Sequence, residues 1–359
     1  MTGTDLGRDT AGDGSADERQ PPQRTPIMVS KRYPTSIEVA RLAGVSQSAV
    51  SRTFTPGASV SARTRDKVLA AADSLGFRPS LIPKIMLTDR SGLVALVVGG
   101  LENAFYARVV QILAARLREA GNQVLLVPVD SDYTLDAVAA RLAQYRVDAI
   151  VSALAVLSRD AAETLSASRI PVVSFNTPVT AARVGSVGSD NALGGWQAAA
   201  LLHARGIRHP AFVAGPADSP ASTERLTGFR DGLRAAGLPE PRVAGSAYTY
   251  DGGAEAATQL CTEGAVDGIF CANDLCALGT IDALRRAGRR IPDDVRVIGY
   301  DDTPAASWGG YDLTSFDQDV PALVEAALAM IDRMAAEDAG AGERELIPPR
   351  LTERGSTRS

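Results

Sequence analysis

Residues 34–55 read PTSIEVARLAGVSQSAVSRTFT, a pattern of two short helices joined by a tight turn. Thr35 can cap the first helix, and Glu38 follows at the three-residue spacing of a capping box. Ile37, Val39, Ala40, Leu42 and Ala43 supply an apolar face. Gly44 stands where the helix must stop, because the residue past a helix end often needs positive φ. Val45 fills the corner, and Ser46 caps a second helix, Gln47–Phe54. That helix turns Ala49, Val50 and Thr53 inward and leaves Gln47, Ser48, Ser51 and Arg52 on its other side.

An exposed row of amide, hydroxyl and guanidinium groups suits the DNA major groove. Arg can bond guanine O6 and N7, Gln can bond adenine N6 and N7, and Ser can serve either base. In a helix-turn-helix the second helix enters the groove with its N-terminal residues at the base edges. With Thr35, Ser46 and Thr55 flanking that row, these residues are the candidate DNA contacts. An ordinary surface αα-hairpin has the same grammar, so this segment alone leaves both readings open. Downstream, Thr55-Pro56-Gly57 makes a turn and Ser61 caps a third helix, Ala62–Leu75, which ends at Gly76. Val68, Leu69, Ala72 and Leu75 form its inward stripe, while Arg63, Arg65 and Lys67 are either solvated or within reach of phosphate.

The charge distribution favours nucleic acid, although the net charge of −5 does not. Residues 31–90 carry ten Lys and Arg against four Asp and Glu, whereas residues 91–359 carry 24 against 33. A basic head on an acidic body is the electrostatic footprint of a DNA-binding module attached to something else. The length of 359 residues allows two or three domains. No apolar stretch is long enough to span a bilayer, and residues 1–32 lack the apolar segment of a secretory signal and read as a disordered tail. A cytoplasmic location is expected. Cys261, Cys271 and Cys276 match no zinc spacing and read as buried thiols.

The motifs Glu38-Val39-Ala40, Ala43-Gly44-Val45-Ser46 and Val50-Ser51-Arg52 resemble the lac/gal repressor family of bacterial transcription regulators. So do Val60-Ser61, Thr64-Arg65, Val68-Leu69-Ala70-Ala71 and Leu75-Gly76-Phe77-Arg78-Pro79, and the similarity runs on to about Arg354. The resemblance implies a short hinge helix in residues 80–91 that, in relatives, folds on operator binding and pushes a leucine into the minor groove. Met86 stands at that place and can act as such a wedge. Pro83 departs from the usual alanine and limits how far a hinge helix can extend. A plain linker is the alternative.

From residue 92 the pattern alternates strands and helices. Apolar runs at Leu93–Val98, 123–129, 149–153, 171–176 and Val184–Ser189 are followed by a second set at 211–215, 243–248, 268–272 and 295–300, with amphipathic helices between them. Such order means parallel sheets with helices on both faces. The expected fold is an α/β core of two lobes, residues 92–354, behind an all-α helix-turn-helix headpiece at residues 33–79. The resemblance supplies the periplasmic-binding-protein-like arrangement, in which the chain crosses between lobes several times. A last helix from Val320 to about residue 337 precedes an irregular C-terminus.

Ligands bind beyond the carboxyl ends of parallel strands. Those ends carry Asn103, Asn176, Asp190, Asn273-Asp274 and Asp301-Asp302, a set with donors and acceptors that suits a hydroxylated molecule such as a sugar. Tyr106 and Tyr248 offer a stacking surface. Residues at strand ends also cap helices, and Asp190 and Asp274 are the first candidates for that role. The resemblance places effector contacts at Arg225, Asn176, Asn273, Asp301 and Gln318. Arg225 can bind a carboxylate or phosphate bidentately, which keeps a sugar acid open, or it can form a salt bridge across the cleft.

No catalytic residues are expected. His203 and His209 flank a helix end, where a histidine is favourable by dipole alone, and no phosphate-binding Gly-x-x-x-x-Gly-Lys-Ser/Thr loop occurs. Neither a metal nor a cofactor is implied. The reading is a homodimeric repressor on pseudo-palindromic double-stranded operator DNA, controlled by a carbohydrate or sugar acid and without a membrane partner. The C-terminus carries no leucine heptads, which points to a dimer rather than a tetramer. A solute-binding protein of the same core fold and a regulator answering to a protein corepressor are the alternatives.

Overall fold

The computed structural model describes residues 33–55, 57–79, 90–99, 103–129, 138, 141–142, 144–153, 164, 167, 169–176, 178, 182–335 and 343–358. The proposed tail, Pro83, Met86 and most of the helix expected near residues 135–145 lie outside the described residues. The chain divides into two compact units, Met1–Ser80 and Leu81–Ser359.

In the first unit, α1 (Ser36–Ala43), α2 (Gln47–Phe54) and α3 (Ala62–Leu75) close around a small core. The capping box is present: Glu38 N donates to Thr35 Oγ1 over 3.3 Å, and Thr35 N donates to Glu38 Oε2 over 2.7 Å. Gly44 takes φ 64°, which an L side chain adopts only under strain. Ser46 and Ser61 cap α2 and α3. The core consists of Val39, Ala40, Ala43, Val50, Val68, Ala71, Ala72 and Phe77, with Phe54 against Phe77 at 5.8 Å between ring centroids. Ile37 and Leu42 do not join it. They are 55% and 56% exposed, because eight residues of helix bury only one narrow stripe. Leu69 is likewise exposed, and Ala71 packs in its place.

The second unit has two lobes. The first lobe begins with β1 (Leu93–Val98), α4 (Ala104–Glu119), β2 (Gln123–Pro128), β3 (Ala149–Ser152), β4 (Val172–Phe175) and β5 (Val184–Ser189). The second lobe contains α5 (Asn191–Ala204), β6 (Pro210–Ala214), α6 (Pro220–Ala235), β7 (Arg242–Gly245), α7 (Tyr250–Glu263), β8 (Gly268–Cys271), α8 (Asp274–Arg286), β9 (Arg296–Ile298) and β10 (Ser315–Asp317). The chain then returns to the first lobe through α9 (Val320–Ala335) and β11 (Arg344–Ile347), and ends in β12 (Arg350–Thr352). The first sheet runs β11-β5-β4-β3-β1-β2 and the second β7-β6-β8-β9. All their pairings are parallel. β12 pairs antiparallel with β10, so the C-terminus is ordered as strands where an irregular segment was expected.

Continuous apolar strands are what a sheet covered on both faces requires. On β1, Val94, Leu96 and Val98 face α4 and α9, while Ala95 and Val97 face Leu142 and Ile170 on the other side. The second lobe centres on Phe212, Phe229, Phe270, Tyr300 and Phe316. The chain passes between lobes three times, at β5–α5, β10–α9 and β11–β12. At the first passage α5 and α6 approach closely: a Cβ on Gly195 would lie 2.1 Å from the carbonyl oxygen of Arg225, and one on Gly228 only 1.9 Å from that of Ala192. This approach fixes the height of Arg225 against the start of α5.

Candidate functional site: a polar cleft in the core and an exposed helix in the headpiece

A cavity of about 450 Å³ opens among the carboxyl ends of the strands, as strand topology requires. Asn103, Tyr106, Asn176, Arg225, Tyr248, Asn273, Asp301 and Gln318 all line it. The structure thus brings these eight expected residues together, whereas Asp190, Asp274 and Asp302, also expected at strand ends, do not line the cavity. Phe105, Pro216, Asp218, Ser219, Thr249 and Leu275 also line it and were missed. Ser219 follows β6, so the strand-end rule applied to that strand would have found it.

A chain of polar side chains runs through the cleft. Asn176 Nδ2 donates to Gln318 Oε1 over 3.4 Å, and Gln318 Nε2 donates to Asp301 Oδ1 over 2.6 Å. Asn103 Nδ2 stands 3.5 Å from Asp301 Oδ2 and its own Oδ1 caps α4. These residues come from both lobes and from the second passage between them. Asn176, Ala247, Tyr248 and Asp301 have φ of 57°, 51°, 60° and 117°. Non-glycine residues in that region cost about 1–3 kcal/mol each and cluster at ligand sites.

Arg225 is 3% exposed. Its Nε donates to Asn191 Oδ1 over 2.9 Å, Nη1 donates to the Ala272 carbonyl, and its guanidinium lies 3.6 Å from the centroid of the Tyr300 ring. Among the described residues it forms no ion pair, so the salt bridge across the cleft is not formed. Tyr300 in turn shares a 2.6 Å hydrogen bond with Ser189 at the end of β5. Asn273 caps α8 by accepting from Cys276 N over 2.9 Å, which fixes the orientation of its amide. Its Nδ2 is buried and has no hydrogen-bond partner. Tyr248 and Ser219 share a 2.8 Å hydrogen bond at the rim.

Burial pushes the Asp301 carboxyl up despite the opposing Arg225 charge and the amides of Gln318 and Asn103. Burial and the charge of Asp301 also push Asp274 up. Asp274 was expected to cap its helix and does not. It accepts from Ser315 Oγ over 2.5 Å and from Thr303 N over 2.7 Å, because Asn273 already occupies the capping position. Asp190 does cap α5. Asp302 turns away from the cavity to pair with Arg354 at 2.7 Å. Burial raises the Tyr106 and Tyr248 hydroxyls above the ordinary range, so both stay protonated.

In the headpiece, Thr35, Ser46, Gln47, Ser48, Ser51, Arg52 and Thr55 are exposed. Gln47 Nε2 donates to Ser36 Oγ over 3.0 Å, and Ser46 and Ser48 share a 2.9 Å bond. Thr55 Oγ1 donates to the Ser51 carbonyl. Arg65 donates to the Thr53 carbonyl over 3.1 Å and so fastens α3 to α2. Among the described residues no cluster of side chains is suited to a metal ion, and no helix is long and apolar enough to cross a membrane.

A helix-turn-helix unit followed in one chain by a two-lobed binding-protein core defines a ligand-responsive class of DNA-binding regulator. Residues 37–80 match the family described as bacterial regulatory proteins, lacI family, and residues 199–357 match the periplasmic binding protein-like domain. The HTH-type transcriptional regulator CelR of Thermobifida fusca is 36% identical over 325 residues, 86% of this chain and 94% of that one. The structure of a CelR–cellobiose complex aligns with a TM-score of 0.68 at 31% identity, covering 90% of this chain and 99% of that one. A lac repressor dimer bound to operator and the anti-inducer ONPF aligns with a TM-score of 0.82 at 26% identity, over 91% and 100%. The chain belongs to the lacI family of bacterial transcriptional regulators.

Proposed function

We propose that this regulator is a cytoplasmic, homodimeric repressor whose core cleft binds an uncharged, hydroxylated effector of the carbohydrate class. The observation that carries the ligand class is the buried, unpartnered Nδ2 of Asn273, which lines the cavity. A buried donor without an acceptor is costly, and a ligand hydroxyl would supply one. The acceptors of Asp301 and Asp218 and the hydroxyls of Tyr248 and Ser219 extend the same chemistry. Arg225 spends Nε and Nη1 on protein acceptors. Two carboxylates share the cavity, which disfavours a sugar acid. A cavity of about 450 Å³ lies within the usual range for small ligands, and the CelR–cellobiose complex supports the carbohydrate class.

In this reading Gln47, Ser48, Ser51 and Arg52 meet base edges, and Thr35, Ser46 and Thr55 meet phosphate. A dimer sets two headpieces on the half-sites of a pseudo-palindromic operator, and Met86 wedges the minor groove between them. Effector and operator affect each other's affinity by one shared factor. The test is fluorescence anisotropy of a DNA fragment from upstream of the chain's own gene, with cellobiose, ribose and a series of sugar acids. Release of the fragment by a neutral sugar is the expected result. Release by a sugar acid alone refutes the ligand class, and tighter binding with sugar refutes an induced repressor.

A further inference from the structure

Arg225 does not stand alone at the cleft wall. Its Nε donates to Asn191 Oδ1 over 2.9 Å, and Asn191 Nδ2 donates to Glu224 Oε2 over 3.1 Å. Glu224 Oε1 in turn accepts from Arg344 Nη2. Glu224 lies on α6 of the second lobe, whereas Arg344 opens β11, which is hydrogen-bonded into the sheet of the first. Asn191 is the first residue of α5, directly after the first passage between lobes. Four side chains therefore connect the cavity to an ion pair that spans the two lobes.

The polarity of this connection is fixed. Asn191 is 2% exposed, so its amide has no water to turn to. Reversing it would set its NH₂ against the Arg225 guanidinium and its oxygen against the Glu224 carboxylate, which is unfavourable at both ends. At Gly195 and Gly228 α5 and α6 pack backbone to backbone, which leaves little room around this connection. Asn191 holds its present orientation while an acceptor stands at position 224. Glu224 is held there by Arg344, and that pair is only partly exposed.

We propose that Asn191, Glu224 and Arg344 are positioning residues that couple Arg225 to the arrangement of the lobes. A ligand that moves the guanidinium moves Asn191, loosens Glu224 and releases Arg344 from the facing lobe. Separation of the lobes returns the same message to Arg225. None of the three lines the cavity, so they act on the response to the ligand rather than on its contacts. The proposal rests on the effector reading of the cleft.

The test uses the full chain and the same upstream DNA fragment, with cellobiose as the probe. The readout is the ratio of operator Kd with and without sugar, alongside the sugar Kd of the free protein. Arg344→Ala and Glu224→Gln are each expected to shrink the ratio about fivefold or more, the low end of ordinary allosteric coupling, with the sugar Kd changed less than about threefold. Arg344→Lys keeps the cation and should retain most of the ratio. The swap of Glu224→Arg with Arg344→Glu restores an ion pair but places a cation against the Asn191 NH₂, so it should remain as defective as Arg344→Ala. An unchanged ratio in both single variants overturns the proposal. Recovery in the swap also overturns it, since a simple tie between lobes would tolerate reversal.

If the wild-type chain answers to no sugar, the effector reading fails separately, and the relay is judged on ligand-free protein by hydrogen exchange. Arg344→Ala should then speed amide exchange at residues 191–194. Unchanged exchange there overturns the relay.

Discussion

Gln318 donates its side-chain amide to Oδ1 of Asp301 over 2.6 Å, and both residues are almost completely buried. Gln318 sits on the second passage between lobes, and Asp301 follows the end of β9. The bond makes the passage itself part of the cavity wall. Any rotation about that passage changes what the carboxylate presents to a ligand.

Asp301→Asn keeps the shape of the side chain and removes its charge. Hydrogen bonds to charged groups contribute about 1.5–3 kcal/mol, so sugar affinity should fall about tenfold or more. Thermal stability at neutral pH should hold or rise, since a buried charge is removed. Calorimetric titration and melting on one preparation check both, and unchanged affinity would exclude Asp301 from the ligand's contacts.

Arg225→Lys preserves the charge but loses the planar stacking on Tyr300 and the paired donation to Asn191 and Ala272. Lysine is a point charge with no fork. The sugar response should disappear while operator binding without sugar survives. A lysine variant that still responds would show that the cation alone suffices.

Arg52→Ala should narrow the gap between operator and unrelated DNA by about 1–3 kcal/mol of discrimination. Competition by random-sequence DNA measures it. Retained discrimination would mean that this exposed guanidinium contacts phosphate only.

Gly195→Ala would set a methyl group 2.1 Å from the Arg225 carbonyl oxygen. The α5–α6 pair must part, at a cost of about 1–3 kcal/mol for overpacking. Denaturant unfolding should show the loss, and sugar affinity should fall with it because Arg225 moves.

Burial, and after it the charge of Asp301, holds the Asp274 carboxyl well above its ordinary range. A carboxyl raised on folding contributes its full stability below the unfolded value and loses it as pH rises toward the folded one. Stability should therefore decline as pH rises from the ordinary carboxylate range toward neutrality, through Asp274 together with Asp301. Asp274→Asn should flatten that slope in melts taken across the window. A slope that persists unchanged would assign the titration elsewhere.

Much of the fold is visible in the chain because long apolar runs between amphipathic helices leave few alternatives. Leu93–Val98 and Val184–Ser189 form strands at the bounds their pattern indicates. β11 was not legible: Arg-Glu-Leu-Ile is charged, as befits an edge strand paired on one side only. β10 and β12 have three residues each, too few for a period to declare itself. In the headpiece, Ile37 and Leu42 show that hydrophobic identity on a short helix exceeds what its neighbours can cover.

The cleft was legible to different degrees. Asn103, Asn176, Asn273 and Asp301 follow from strand ends. Arg225 and Gln318 do not, since one lies inside a helix and the other on a passage, and only family resemblance pointed to them. Asn191 escaped entirely. Its role depends on how closely two helices approach, which glycines permit but local sequence does not announce.

The three passages between lobes carry a consequence for how such regulators can be rebuilt. The headpiece unit is one continuous segment, so it can be exchanged for another with a single cut in the gene. Neither lobe of the core is continuous. The first gathers β1 to β5, α9 and β11, and the second takes the intervening segment and β12. Replacing one lobe alone would need several simultaneous junctions, one of them through the passage whose Gln318 lines the cavity. Headpiece and core can thus be recombined as whole units, whereas the two lobes can only be inherited together.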